Sequence, residues 1–309
     1  MNTNPSSPLH LTPATAPQRA LVLGGGGSTG NAWLIGVIAG LFDAGLDVTT
    51  AELTIGTSAG STAAAQIAGA SPADLFAAIL AAPPQQRTGP VGSGPGRVST
   101  RPVMDHLERT SKIIADSEDA ADMRRRMGAA ALDMDAGSDG SWQTQWRTTV
   151  ASRLPSQHWP QRTVLITAVD AHTGDPVVFD RHSGVELADA VAASCASGRP
   201  YGIGDNQYID GGYRSNAENA DLAAGYGRVL VLSPFGGRSL VPLEWGMHLA
   251  TQVDELRARG SRVETVFPDS NSEHMFGANA MDLSLRPPAA RAGHDQGRAL
   301  AGRLTEFWR

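Results

Sequence analysis

Residues 56–60 of the chain place a serine in a setting that favours nucleophilic chemistry. They read Gly-Thr-Ser-Ala-Gly, the Gly-x-Ser-x-Gly pattern in which a tight strand-to-helix turn lifts a serine hydroxyl above a sheet. An apolar, strand-like run precedes the pattern and an alanine-rich, helix-like run follows it. We therefore predict that Ser58 is a nucleophile and that Gly56 and Gly60 give neighbouring elements room to approach it.

A serine nucleophile needs a base that takes its proton, and the best candidate in the sequence is Asp210. It ends a short strand-like run, and Gly211 and Gly212 behind it allow another part of the chain to approach closely. The carboxyl pKa of aspartate is about 3.9 in water, and burial against an apolar wall would raise it. The sequence thus predicts a Ser58–Asp210 dyad.

A histidine base, as in the α/β-hydrolases, is the alternative. In that fold the serine turn lies well inside the sheet, and an acid and then a histidine follow it along the chain. Here only one strand-like run precedes the strand that leads to Ser58. The candidate histidines fall in a turn, in a helix-like run or in polar surroundings: His172, His248, His274 and His294. We expect these histidines to be surface residues rather than the base.

A second motif, GGGGSTG at residues 24–30, follows the first strand-like run and precedes a helix-like run. Its Gly25-x-Gly27-x-x-Gly30 spacing also fits a dinucleotide-binding turn, so a nicotinamide-dependent dehydrogenase is a distant alternative. That turn requires an acidic residue at the end of the second strand, whereas Glu52 lies at its beginning. Backbone N–H groups of a glycine loop at the start of a helix would instead suit a developing oxyanion.

Strand-like and helix-like runs alternate along most of the chain, which predicts an α/β fold with a mainly parallel central sheet and helices on both faces. Residues 1–18 are rich in Pro, Ser and Thr and are expected to form a disordered tail. Residues 19–309 are expected to form one domain, in which 83–154 provide a long loop and a helical cap. Trp142 and Trp146 in this segment are either apolar contacts for a substrate or ordinary packing residues.

Composition and charge exclude some function classes. The 309 residues carry a net charge of −6 without a basic stripe, which argues against nucleic acid and against attraction to anionic membranes. Cys195 is the single cysteine, and we expect it to be a small buried group in a reducing compartment. Residues 1–20 lack the basic and apolar regions of a signal peptide, and no apolar run approaches the roughly 20 residues of a membrane span. We therefore expect a cytoplasmic protein.

The glycine loop, Gly-x-Ser-x-Gly and Asp-Gly-Gly occur in this order over about residues 20–235, and as a set they resemble the patatin-like phospholipase family. The resemblance implies a three-layer α/β/α fold that hydrolyses acyl esters of lipids without a metal ion or another cofactor. It implies that Ser58 is the nucleophile and Asp210 the general base. The backbone N–H groups of Gly26 and Gly27 then form the oxyanion hole. The implied partner is a lipid or another acyl ester, with transient contact with a membrane.

One position departs from the family pattern. Many relatives carry Arg or Lys one residue before the last glycine of the loop, where it is thought to help bind phosphate, and this chain has Thr29. The absence of this cation favours a neutral ester or a lysolipid over a phospholipid as the substrate, unless Arg199 or Arg214 supplies the charge. A catalytically silent lipid- or acyl-binding protein with the same fold is the alternative function. The sequence leaves the acyl chain, the head group and the oligomeric state open.

Overall fold

The computed structural model describes residues 18–82 and 101–309, without the side chains of 101–104. Eight strands in these residues form one sheet. They are β1 (Arg19–Leu23), β2 (Leu53–Gly56), β3 (Thr163–Asp170), β4 (Pro176–Phe179), β5 (Tyr201–Ile203), β6 (Asn206–Asp210), β7 (Arg228–Leu232) and β8 (Arg262–Val266).

Nine α-helices, counted over the same residues, surround the sheet. They are α1 (Gly27–Asp43), α2 (Ala59–Gly69), α3 (Pro72–Ala81), α4 (Arg101–Ala115), α5 (Ala120–Asp135), α6 (Ser141–Ala151), α7 (Leu187–Ser194), α8 (Leu249–Ala258) and α9 (Arg286–Trp308). Local sequence explains the start of α3, where Ser71 Oγ accepts a 3.1 Å hydrogen bond from the Asp74 N–H group. Pro72 follows at the first helical position, where its missing N–H costs nothing.

The strand order is β5-β6-β3-β2-β1-β7-β8, and β4 pairs with β3 off this path. Strands β3, β2, β1, β7 and β8 run parallel to one another, whereas β4 and β6 pair antiparallel with β3 and β5 pairs antiparallel with β6. The sheet is therefore mainly parallel, as the alternating sequence pattern predicts. In a parallel sheet the carboxyl ends of the strands lie at one edge, and the turns after β1 and β2 meet there.

Alternate residues of β1 face two separate cores. Leu21 and Leu23 pack with residues of α1 and α9, whereas Ala20 and Val22 pack with residues of α8. All four side chains are fully buried, which explains why β1 reads as a continuous apolar run rather than an alternating one. Helices thus cover both faces of the sheet, and the predicted three-layer α/β/α fold is confirmed.

Helices α1 and α9 pack closely because glycines line their contact. A Cβ atom on Gly36 would lie 2.1 Å from the Ala290 carbonyl oxygen, and one on Gly40 would lie 2.1 Å from the His294 carbonyl oxygen. Glycines of α9 approach the backbone of α1 in the same way. Successive residues of α1 meet successive residues of α9, so the two helices run in the same direction and the beginning of α9 lies beside the beginning of α1.

Helices α4, α5 and α6 make up the described part of the predicted insertion over residues 83–154. Met123 and Met127 of α5 pack with Val169 and Ile209 of the sheet. The predicted long loop covers residues 83–102, of which 83–100 lie outside the described part of the chain, as do residues 1–17 of the predicted tail. At its end the prediction is wrong, because α4 already begins at Arg101. The division into a tail, a domain and a cap stays a prediction.

Two local predictions from the sequence are wrong. The pattern predicts a helix over 242–260, but α8 begins only at Leu249, because Gly246 adopts a φ of 67° and ends the preceding turn. The sequence also predicts a loop between α7 and β6, where β5 instead pairs with β6 across Gly204 and Asp205. Gly204 has a φ of 59°, which a two-residue hairpin turn requires.

Within residues 18–82 and 101–309, no single helix is long and apolar enough to cross a membrane. Helices α2 and α3 have the length and composition of a membrane span only when they are taken together, and the chain bends by 119° between them.

Candidate active site

Ser58 lies on a sharp turn between β2 and α2. Its backbone adopts φ 51° and ψ −115°, which costs a residue with a side chain about 1–3 kcal/mol. Both flanking glycines are sterically required, since a Cβ atom on Gly60 would lie 1.9 Å from the Leu23 carbonyl oxygen and one on Gly56 would lie 2.6 Å from Ser61 Cα. The turn that the Gly-x-Ser-x-Gly pattern predicts is therefore present, with the serine at its apex.

Neighbouring groups hold the backbone of this turn. The Ser58 N–H group donates to Ser194 Oγ at 2.9 Å. Its carbonyl oxygen accepts hydrogen bonds from Ser61 Oγ at 2.6 Å and from Cys195 Sγ at 3.1 Å. Burial raises the pKa of the Cys195 thiol to about 11, so it stays protonated and acts as a donor rather than as a nucleophile.

The register of the sheet brings Asp210 to the serine turn. Gly56, the last residue of β2, is paired with Ile166 of β3, and Asp210 is paired with Ala168 of the same strand. Because Ile166 and Ala168 are two residues apart, the ends of β2 and β6 meet beside one point of β3. The Ser58 side chain is near enough to lower the pKa of Asp210 as a hydrogen-bond donor. The contact falls short of a well-aligned hydrogen bond, as is common for proton-transfer pairs before a substrate binds.

Asp210 has the surroundings of a base rather than of an ion-pair partner. Its side chain is only 8% exposed, and its Oδ1 accepts a 2.8 Å hydrogen bond from the Gly212 N–H group. Burial raises the pKa of Asp210 to about 6, although the hydrogen bonds from Gly212 and Ser58 act in the opposite direction. No cation among the described residues offsets this burial. A carboxylate with a pKa near 6 is a base of useful strength around neutral pH.

Asn219, which the sequence analysis missed, ties the two motifs together. Its fully buried side-chain amide donates 3.0 Å hydrogen bonds to Thr57 Oγ1, before the serine, and to the carbonyl oxygen of Gly211, after the aspartate. Thr167 of β3 lies between them and donates to Thr57 Oγ1 at 3.0 Å. Asn219 has a φ of 56°, a conformation that asparagine tolerates better than most residues. The distance along the chain hides this link from sequence analysis.

Replacing Asn219 with glycine should lower kcat/KM about tenfold and the free energy of unfolding by about 2–3 kcal/mol. Glycine accepts the positive φ, so the change removes the amide without backbone strain, and the Ala variant should lose about 1 kcal/mol more. Denaturant unfolding and ester hydrolysis measure the two effects. Asn206→Gly, at an exposed position, is the control. Unchanged kcat/KM in a folded Gly variant would show that the amide does not position the dyad.

The glycine loop lies directly against the serine. A Cβ atom on Gly25 would be 3.6 Å from Ser58 Cβ. The Gly25 N–H group donates to the Ala217 carbonyl oxygen at 2.7 Å, and the Gly24 N–H group donates to that of Leu232 at 3.0 Å. These two bonds fix the first half of the loop to the segment that follows Asp-Gly-Gly and to β7.

The second half of the loop leaves its donors available. The N–H groups of Gly26 and Gly27 have no acceptor within the described residues, whereas the Gly30 N–H group donates to the Gly26 carbonyl oxygen at 3.0 Å. Gly27 begins α1 with a φ of 64°. The Ala59 N–H group, which directly follows the serine and also lacks an acceptor there, is a further donor that the sequence analysis missed. This arrangement has the free donors that a tetrahedral oxyanion requires.

A second buried carboxyl group, Glu218, lies beneath the glycine loop. Its side chain is 1% exposed, and its Oε1 accepts a 2.5 Å hydrogen bond from Ser233 Oγ. Its Oε2 has no partner among the described residues, and a Cβ atom on Gly24 would lie 3.3 Å from Glu218 Cγ. Burial raises the pKa of Glu218 to about 7, so the group carries a proton over much of the acidic range.

A small cleft lies between α4, α5 and the segment around Asp210. Its walls include the apolar side chains of Met127 and Met134. At its polar side the Tyr213 hydroxyl is 3.3 Å from His106 Nε2. Burial lowers the pKa of His106, which favours the neutral imidazole. The cleft is therefore mostly apolar, with a few uncharged polar groups and the guanidinium of Arg109 in its lining.

None of the histidines in the described residues hydrogen-bonds the Ser58 side chain. The Nε2 atom of His294 is 2.9 Å from Asp43 Oδ2, and that of His248 is 2.8 Å from the Val241 carbonyl oxygen. Among these residues, no group of three or more His, Cys, Asp or Glu side chains is arranged to hold a metal ion. Of the candidate bases, Asp210 is the one beside the serine.

The two tryptophans of the insertion serve as packing residues in the structure. The indole N–H group of Trp146 donates to the Ala192 carbonyl oxygen of α7 at 3.1 Å, and that of Trp142 donates to Asp135 Oδ1 at 3.0 Å. Both rings also pack against the main apolar core. Neither lines the cleft between α4 and α5.

A serine on a strained turn at the carboxyl end of a parallel sheet is the arrangement of α/β serine hydrolases, and here a carboxylate stands beside it. The chain matches the family model described as "Patatin-like phospholipase" over residues 21–222, about two thirds of its length. The chain therefore belongs to the patatin-like phospholipase family, and the predicted family is confirmed. This membership places it among the hydrolases of lipid esters.

Distant likenesses to solved structures accompany this match. VipD from Legionella pneumophila is 11% identical with a TM-score of 0.41, over 93% of this chain and 67% of that one. The type III effector ExoU is 16% identical with a TM-score of 0.43, over 94% of this chain and 53% of that one. ExoU with SpcU, from the type III secretion system of Pseudomonas aeruginosa, is 18% identical with a TM-score of 0.35, over 91% and 53%. The chain thus spans about half to two thirds of these proteins, and likenesses this distant say nothing about activity.

No curated protein sequence matches the chain significantly.

Proposed function

We propose that the protein is a serine acyl hydrolase that cleaves carboxylic ester bonds of lipids through a Ser58–Asp210 dyad. The observation that carries the proposal is the meeting of these two side chains beside β3, with the serine on a strained turn and the aspartate buried. Membership of the patatin-like phospholipase family supports lipid esters as the substrate class. The proposed reaction is that of a phospholipase A, a lysophospholipase or a lipid esterase.

In the first half of the reaction, Ser58 Oγ attacks the ester carbonyl carbon while Asp210 accepts its proton. The raised pKa of Asp210, about 6, makes the carboxylate a stronger base than an exposed aspartate. The protonated Asp210 then gives the proton to the leaving alcohol. In the second half, Asp210 takes a proton from water, which attacks the acyl-serine; the C–Oγ bond then breaks, Asp210 returns the proton to Ser58 Oγ, and the fatty acid leaves.

The tetrahedral oxyanion of both halves would lie against the free N–H groups of Gly26 and Gly27. Each such donor is worth about 3–4 kcal/mol in comparable sites. The proposal that these donors face the oxyanion is supported by the approach of the loop to Ser58 and by the use of the Gly24 and Gly25 N–H groups elsewhere. The Ala59 N–H group is a third candidate donor.

The cleft between α4 and α5 is the proposed place for the acyl chain. It is largely apolar, and Tyr213 on its wall is three residues from Asp210. Its helices belong to the segment 83–154, which we propose acts as the cap of the site. The proposal requires no metal ion or other cofactor.

The decisive experiment incubates the purified protein with a panel of phospholipids, lysolipids and neutral glycerides and identifies the released products by mass spectrometry. We expect free fatty acid, together with labelling of Ser58 by a fluorophosphonate probe. Labelling confined to another residue would contradict the proposed nucleophile. Binding of these lipids without release of fatty acid would instead support a catalytically silent lipid-binding protein.

Replacing Gly26 with alanine should lower kcat about 100-fold, mainly by displacing an oxyanion donor. The new Cβ atom would lie 2.5 Å from Pro234 Cβ and 3.0 Å from Gly30 Cα, so the loop has to shift. Steady-state kinetics on a soluble nitrophenyl ester measure the loss. Gly302→Ala is the control, because a Cβ atom there meets nothing within 4 Å. A Gly26→Ala variant with full kcat would show that this N–H group does not face the oxyanion.

A further inference from the structure

Both residues of the proposed dyad donate their backbone N–H groups to one short segment, residues 194–196. The Ser58 N–H group donates to Ser194 Oγ at 2.9 Å, and the Asp210 N–H group donates to the Ala196 carbonyl oxygen at 3.0 Å. Ser194 is the last residue of α7, and a single residue separates it from Ala196. The segment therefore fixes the backbone of Ser58 relative to that of Asp210, in addition to the register of the sheet.

The segment that carries the two acceptors is itself held in place. Ser194 is fully buried, and Ala196 is buried as well. The Cys195 N–H group donates to the Val191 carbonyl oxygen at 3.1 Å, and the Ala196 N–H group donates to that of Ala193 at 3.1 Å. The backbone thus continues the last turn of α7 through both acceptors. A buried, hydrogen-bonded segment of this kind can impose a geometry on the groups that it contacts.

The two polar backbone groups of Ser58 are held to different degrees. Its carbonyl oxygen accepts from Ser61 Oγ and Cys195 Sγ, and also from the N–H groups of Ser61 and Thr62 at 2.9 and 3.3 Å. Its N–H group donates to Ser194 Oγ and to no other acceptor in the part of the chain that the structure describes. Loss of one contact at the carbonyl leaves several others, whereas loss of Ser194 Oγ leaves the N–H group without a partner.

This single hydrogen bond acts on a strained residue. Ser58 has φ 51° and ψ −115°, a conformation that a residue with a side chain keeps only where its surroundings enforce it. Without the acceptor for its N–H group, the turn could relax towards an ordinary backbone conformation. Because the backbone sets the direction of the Cα–Cβ bond, relaxation would carry the Ser58 hydroxyl away from Asp210.

We propose that Ser194 is a positioning residue of the dyad, whose hydroxyl oxygen holds the strained backbone of Ser58 so that its Oγ faces Asp210. Ser194 is fully buried, so it acts through Ser58 rather than by contact with a substrate. The contact from Asp210 to Ala196 keeps the base on the same rigid segment. This inference rests on the proposed acyl hydrolase function and adds a residue that its chemistry requires.

Replacing Ser194 with alanine should lower kcat on a soluble nitrophenyl ester about 10- to 100-fold, because a displacement of about 1 Å at a reacting atom can cost about 100-fold in rate. KM should change by less than about twofold, since the ester still meets the same pocket. Ser194→Cys, with a weaker acceptor of similar shape, should fall between alanine and the wild type. Cys195→Ala should lose less kcat than Ser194→Ala, because the Ser58 carbonyl oxygen keeps its other donors. An unchanged kcat in Ser194→Ala would overturn the proposal.

Ser261→Ala is the matched control for the loss of a buried serine hydroxyl. Ser261 is buried, and its Oγ donates to the Tyr226 carbonyl oxygen at 2.7 Å. It precedes β8, so it lies at the opposite edge of the sheet from Ser58. The control should keep full kcat but unfold at a lower denaturant concentration than the wild type. Ser194→Ala should lose less stability than the control, because relief of strain at Ser58 offsets part of the lost hydrogen bond. A much larger loss of stability in Ser194→Ala would mark Ser194 as a purely structural residue and overturn the proposal.

Labelling by a fluorophosphonate probe separates this inference from the proposed function, because the probe reports the reactivity of Ser58 without a lipid substrate. The second-order rate constant for labelling should fall in Ser194→Ala by about the same factor as kcat, whereas Ser261→Ala should keep the wild-type rate. A wild type that is not labelled at Ser58 would contradict the proposed nucleophile itself. A wild type that is labelled at Ser58, with Ser194→Ala labelled equally fast, would overturn the positioning role alone.

Discussion

Replacing Ser58 with alanine is expected to reduce kcat/KM for lipid esters by about 10³-fold or more and to abolish fluorophosphonate labelling. Alanine keeps the Cβ atom, so the turn retains its shape and its strained φ of 51°. What is removed is the hydroxyl that would form the acyl-enzyme, and neither Asp210 nor the glycine loop can replace it. Residual hydrolysis would come from water attacking an ester still held at the glycine-loop donors.

A glycine at the same position separates chemistry from strain. Ser58→Gly should be as inactive as the alanine variant but more stable by about 1 kcal/mol, because glycine adopts a positive φ without steric cost. Ser71→Ala is the matched control: Ser71 caps α3, so its loss should cost about 1 kcal/mol and leave hydrolysis intact. Denaturant unfolding and lipid hydrolysis on the same samples measure both effects. Substantial turnover by Ser58→Ala would rule out the proposed nucleophile.

The motifs and the order of the helices and strands could be predicted from the sequence, because both depend on local patterns. Leu21 and Val22 predict a strand buried on both faces, and Gly56 and Gly60 predict a turn crowded by other backbone. The register between β3 and its neighbours is different, since Ile166 and Ala168 carry no mark of which residues they pair with. The order of the motifs along the chain thus predicts Ser58 and Asp210 as the candidate pair. The register of β3 with β2 and β6 is what brings the two residues together.

Residues that act through tertiary contacts were beyond the reach of local patterns. Asn219 lies in a polar stretch that reads as a turn or a short helix, yet its side chain is completely buried between the two motifs. Ser194 ends an alanine-rich helix, and nothing in its local sequence shows that its hydroxyl meets the N–H group of Ser58. Glu218 became recognisable only through its burial beneath the glycine loop.

Replacing Asp210 with asparagine should lower kcat/KM about 10²- to 10⁴-fold, because an amide cannot accept the serine proton. The wild type should also show an acidic limb in kcat/KM: activity requires the carboxylate, so it should fall about tenfold per pH unit below the pKa of about 6. Measurements from pH 4.5 to 9 on a soluble ester test this limb. Glu218 also titrates near neutral pH, so Glu218→Gln is the control, and it should keep the limb near pH 6.

The raised pKa of Asp210 also predicts how stability depends on pH. Its contribution to the free energy of unfolding should fall as the pH rises through 6, whereas activity should rise. Burial raises the pKa of Asp210 from 3.8 in the unfolded chain to about 6 in the folded protein, so between these values the folded state binds the extra proton. The stability contributed by the protonated group is complete below pH 3.8 and is lost as the pH rises through 6. At pH 8 the charged carboxylate therefore costs up to about 3 kcal/mol, which Asp210→Asn removes while it still accepts from the Gly212 N–H group. The inactive variant should consequently unfold at higher denaturant concentration than the wild type at pH 8, with the difference vanishing towards pH 4. An Asp210→Asn variant less stable than the wild type at pH 8 would mean that the carboxylate is held by favourable contacts, and its role as a base destabilised by burial would have to be abandoned.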